Sequence, residues 1–99
     1  MSVNIHMSLH IENLSSLDEA NAVETAVEKV LRDHSIEHEV RIFVFLDPLW
    51  VKVATDEWPV SVRGFGAWSA MFEHDVTHAV RAVAPAAAFD LEWGYPDND

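Results

Sequence analysis

Residues 3–12, Val-Asn-Ile-His-Met-Ser-Leu-His-Ile-Glu, alternate without a break between apolar and polar side chains. A side-chain period of two belongs to an extended strand, so Val3, Ile5, Met7, Leu9 and Ile11 share one face. Beyond residue 15 the period changes. Ala20, Val23, Ala26, Val27, Val30 and Leu31 recur at helical spacing. Ser16 precedes this stripe with Glu19 three residues on, a capping box, and Asp18 adds negative charge at the positive end of the helix dipole. A strand and a helix that are each apolar on one side can bury those sides only against another layer.

The same two periods recur along the chain. Residues 39–46 read as a second strand, with Val40, Ile42, Val44 and Leu46 on one face. Asp47-Pro48 marks a turn with proline at its second position. Trp50–Ala54 returns as a third strand and Thr55-Asp56-Glu57 turns again. Trp58–Arg63 reads as a short fourth strand or a loop, and Pro59 confines it to a sheet edge. Gly64 and Gly66 break the chain before a second helix at about 69–83. Its buried stripe is Phe72, Val76, Ala79, Val80 and Val83, and Pro85 stops it. Ala88–Trp93 is the last strand.

The order strand, helix, two or three strands, helix, strand predicts an α+β fold. It is similar to the ferredoxin-like two-layer sandwich, with both helices on one face of a mostly antiparallel sheet and room for one extra edge strand. The length fits a single α+β domain over 1–99, with 95–99 expected to be a frayed acidic tail.

If the apolar alternates face the helices, the other alternates define an open sheet face. That face gathers Asn4, His6, Ser8, His10 and Glu12 from the first strand. It adds Glu39, Arg41, Phe43, Phe45 and Asp47, then Trp50, Lys52 and Ala54, then Ser61 and Arg63, and finally Asp90 and Glu92. A one-residue slip in register would reverse the assignment. The candidate binding residues are therefore His6, His10, Arg41, Phe43, Phe45, Trp50 and Lys52. Phe43, Phe45 and Trp50 form an apolar patch of the kind a monomer hides. It is the interface of a homodimer, the seat of a C-terminal segment, the core side of a strand buried on both faces, or a recognition surface with aromatic and Arg anchors.

Charge limits the partners. Seventeen carboxylates face six Lys and Arg, a formal net charge of −11, yet 49% of residues are apolar, so the chain is built to fold. Such a balance repels phosphate backbones and anionic membranes and favours a basic protein partner. It also serves solubility, or a salt-adapted host, since only Lys29 and Lys52 are lysines. Aromatic and basic residues on one sheet are similar to the RNA-recognition architecture, but the aromatic-glycine signature of that module is missing and no nucleic-acid partner is expected. With no cysteine, disulfides and thiolate chemistry are excluded. No basic leader precedes a long apolar run and no apolar stretch reaches about 18 residues, so a cytoplasmic protein is expected.

The six histidines fall in pairs four apart: His6/His10, His34/His38 and His74/His78. On a strand, four residues span about 13 Å, too far for one ion. The spacing of His34 and His38 depends on how the chain leaves the first helix. His74 and His78 share a helix face. The segment His74-Asp75-Val76-Thr77-His78 resembles the zinc metalloprotease motif His-Glu-x-x-His. It departs from it by an Asp in the Glu place and by lacking a third ligand at family spacing, so an exposed polar stripe is the reading, with no metal site assigned. No phosphate-binding or dinucleotide fingerprint and no nucleophile elbow occurs, and no catalytic residue or cofactor is assigned. Asp90 and Glu92 beside His6 or His10 are the one arrangement similar to an acid–base site.

In size, charge and lack of cysteine the chain resembles small acidic immunity or inhibitor proteins that neutralise a basic partner such as a toxin. That resemblance implies a non-enzymatic protein-binding domain. Two other readings stay open: a homodimeric ferredoxin-like protein with a small-molecule or enzymatic site on the open sheet face, and a salt-adapted domain.

Overall fold

The alternating segment is β1 (Ser2–Glu12), the longest strand and the one that three others pair with. The computed structural model describes residues 2–55 and 58–94. After β1 come α1 (Leu17–Asp33), β2 (Val40–Phe45), β3 (Trp50–Thr55), β4 (Val60–Arg63), α2 (Phe65–Val83) and β5 (Ala88–Gly94). All pairings are antiparallel: β2 with β3, β3 with β1, and β1 with β5. The sequence β2-β3-β1-β5 across the sheet is the ferredoxin-like order, and both helices lie on one face. Ile5, Met7, Leu9 and Ile11 are buried while Asn4 and Glu12 are exposed, as the alternation requires.

Segment 58–63 is resolved as strand β4 from Val60, with Pro59 just ahead of it, where no ladder hydrogen bond is lost. β4 pairs with the first residues of β1, in the register Ile5↔Val60. β3 pairs with β1 only as far as Ser8↔Ala54. Between the two, Thr55 turns its side chain to β1. The Met7 N–H donates to Thr55 Oγ1 at 3.2 Å, and His6 Nδ1 lies 2.8 Å from the same oxygen. A hydroxyl thus satisfies the backbone donor that the break in the ladder would leave unpaired.

Ser16 caps α1 by accepting from the Glu19 N–H at 3.1 Å, and Glu19 Oε1 accepts in return from the Ser15 N–H at 2.9 Å. The box closes one residue earlier than its usual form, which returns to the cap residue itself. α2 starts at Phe65, four residues before the expected position. Gly64 takes the left-handed cap (φ 60) and Gly66 lies inside the helix. The earlier start lets Phe65 and Trp68 join a ring cluster. Trp68 stacks on Phe72 at 5.2 Å, and Trp93 meets Phe65 edge-on at 5.3 Å. Each aromatic pair contributes roughly 0.5–1.5 kcal/mol, enough to offset the roughly 1 kcal/mol a helical glycine costs.

Leu46, expected on the buried face of the second strand, is 64% exposed, because β2 ends at Phe45 and the turn carries Leu46 away from the helices. Two further expectations are corrected. Val83 is 39% exposed, because the helical rotation ends at Ala84, which is buried in its place. Pro48 sits third, not second, in the four-residue turn between Phe45 and Trp50, with a cis Asp47–Pro48 bond. The Asp56–Glu57 part of the second turn and the tail at 95–99 lie outside the described residues.

Candidate binding surfaces

The register assembles the open sheet face row by row. One row reads Arg41, Ala54, Ser8, Glu92; the next reads Phe43, Lys52, His10, Asp90. Phe45 faces Trp50 at the end of β2 and β3. The expected strand residues are on this face, whereas Glu39 and Asp47, also expected there, lie in the turns just before and after β2, which runs only from Val40 to Phe45. Arg41, Phe43 and Phe45 are exposed, and His6, His10, Trp50 and Lys52 are half-buried among their neighbours. No strand bearing these aromatics is buried on both faces.

The aromatic residues form one strip. Phe45 stacks on Trp50 with centroids 4.5 Å apart and planes 13° apart, Trp50 meets the His10 ring at 4.7 Å, and Phe43 adjoins Phe45 at 6.3 Å. Phe43 and Phe45 keep 44% and 41% of their surface exposed. His10 turns toward Trp50, and no hydrogen bond joins it to Asp90 among the described residues. His6 is held at Thr55. The two histidines are thus engaged separately, and the carboxylates of β5 stand beside them without forming a hydrogen-bonded acid–base pair.

Charge is distributed unevenly. The strand positions of the open face carry Arg41, Lys52 and Arg63 against Glu12, Asp90 and Glu92, which balance. The other three basic residues and the other fourteen acidic residues hold the whole net charge of −11. Much of it lies along α1 and its connection to β2. Asp18, Glu19, Glu24, Glu28, Asp33, Glu37 and Glu39 stand there against Lys29 and Arg32. Between α1 and the outer edge of β2 lies a cleft of about 350 Å³. Its floor is Leu31, Val40 and Ile42, and Glu24, Glu28, Glu37 and Arg32 stand around it. Glu37 Oε1 is 3.5 Å from His38 Nε2, while its Oε2 is buried with no hydrogen-bond partner among the described residues. Sequence patterning missed this cleft, since it depends on where the chain crosses from α1 to β2.

The histidine pairs resolve differently. His34 caps the end of α1 and crosses to α2, its Nε2 2.9 Å from Asp75 Oδ2 and its ring edge-on to Trp68 and Phe72. His38 is exposed. His74 and His78 lie exposed on α2 with rings 6.1 Å apart. Among the described residues no three His, Asp or Glu converge on a point where a metal could sit. No described helix is long and apolar enough to cross a membrane.

The chain matches no protein-family model and no curated protein. Among solved structures it is similar to protein SP2199 from Streptococcus pneumoniae, with a TM-score of 0.52 over 93% of this chain and 86% of that one. At 12% identity that likeness concerns the fold alone.

Proposed function

We propose that this protein is a small acidic protein-binding module that meets a basic protein partner on its helical side. The observation that supports the reading is the division of charge: the strand positions of the open sheet face are balanced, and the two helices, the turns and the C-terminal residues carry the entire net charge of −11. A basic protein approaching such a surface is steered toward it and held by complementary charge. The α1–β2 cleft offers the most specific contact. A partner Lys or Arg laid along Leu31, Val40 and Ile42 would bury its methylenes there and bring its charge to Glu24, Glu28 and Glu37. A donor from the partner could also reach Glu37 Oε2, which has no hydrogen-bond partner among the described residues. The reading is that of an immunity or inhibitor protein, neutralising a basic partner by covering it.

The test is calorimetric titration of the purified chain against basic proteins encoded beside its gene. Affinity should fall at least about tenfold between roughly 50 and roughly 500 mM KCl. It should fall again in Glu24→Gln combined with Glu37→Gln, and stay unchanged in Phe43→Glu. Binding that is flat in salt, or no binding by any neighbour product, contradicts the proposal.

A further inference from the structure

The open sheet face is a surface in its own right, opposite the helices. We infer that it is the interface of a two-fold homodimer, stacked sheet on sheet with the symmetry axis running along the strands. The occupant follows from how charge and size are laid out across the strands. The β2–β3 half of the face carries Arg41 and Lys52, while β5 at the far edge carries Asp90 and Glu92. His10 of β1 stands between Lys52 and Asp90 on one row.

With the strands of the two sheets aligned, two orientations bring this face against its own copy. An axis across the strands sets β2 on β2 and places like charges together. An axis along the strands sets β2 of one copy over β5 of the other and keeps each row opposite itself. Arg41 then faces Glu92 of the second copy, and Lys52 lies one strand spacing, about 4.8 Å, to the side of Asp90. Of the two, only the second sets the basic residues of the face beside its acidic ones rather than like beside like. Size follows the same rule. The Phe45–Trp50 stack lies on the β2–β3 half, while the β5 end of that face carries only Ala88. The half-exposed Phe43 and Phe45 are thereby covered at a gap of about 10 Å between sheets. Charge balance on this face matters too, since elsewhere two copies would meet acid on acid.

Sedimentation equilibrium of the full chain tests this, with circular dichroism confirming the fold of each variant. At physiological salt the wild type should reach twice its 11.2 kDa. Lys52→Asp moves the net charge from −11 to −13, and Asp90→Lys moves it to −9. General repulsion would make the first associate less and the second more. The two-fold contact predicts that both weaken the dimer, by about a hundredfold because each contact occurs twice, and that the double exchange K52D/D90K restores it. A wild type that stays monomeric up to about 1 mM overturns the inference. So does an Asp90→Lys variant that associates more tightly, or a double variant no better than its parents. The partner reading uses the other side of the molecule, so a failure here leaves the salt titration above unaffected, and the reverse holds as well.

Discussion

Thr55 is a small residue that holds two strands in register. Its hydroxyl accepts from the Met7 N–H and meets His6 at the point where β3 leaves β1. Thr55→Val keeps the shape and removes the acceptor, so a part-buried N–H loses its partner. The expected cost is about 1–3 kcal/mol in urea unfolding, with Thr55→Ser recovering most of it. A valine variant within about 0.5 kcal/mol of wild type would show that the oxygen is dispensable. Phe72 carries a different load. It is fully buried, stacks on Trp68 and receives the His34 edge from α1. Phe72→Ala should lose about 3–5 kcal/mol through lost contact and the cavity left behind. A thermal melt checks this, since each kcal/mol lowers Tm by roughly 4–8 °C in a chain of this size.

At the scale of elements, the sequence announces what is periodic and hides what depends on contacts between distant residues. β1 was legible because ten residues alternate and one face is buried. α1 was legible because Ser16 and Glu19 mark its start, and Ser16→Ala should cost about 1 kcal/mol. The open-face residues followed from that same alternation, which is why His6, His10, Arg41, Phe43, Phe45, Trp50 and Lys52 fall where the pattern sets them. α2 was misjudged at its start. Gly64 and Gly66 read as breakers, whereas the ring cluster of Phe65, Trp68 and Trp93 draws the helix back to Gly64. A Cβ at Gly64 would meet nothing within 4 Å, so Gly64→Ala is strained only by its positive φ. A loss of about 1–2 kcal/mol is expected on chemical unfolding. The His34–Asp75 link and the α1–β2 cleft were illegible for one reason: each joins elements whose relative placement no local period encodes.

At the scale of the whole molecule, −11 is not spread evenly. The strand positions of the open sheet face are balanced, while α1, its connection to β2 and α2 are all net acidic, and the two proposals assign the first surface to a second copy and the second to a basic partner. Salt separates the two. Two charges of −11 roughly 25 Å apart repel by on the order of 20 kcal/mol in unscreened water, and a Debye length of about 8 Å at physiological salt removes most of that. Self-association should therefore tighten as KCl rises from about 10 to about 150 mM, whereas partner binding weakens over the same range. A chain whose folding stability, rather than its association, climbs steeply with KCl would instead point to salt adaptation. The division of surfaces is tested most directly by the mass of the complex with a basic partner in sedimentation velocity. The account predicts two copies of each protein, with the sheet faces still joined and a partner on each acidic side. A complex of one copy of each, formed as the partner displaces the second chain, would contradict it.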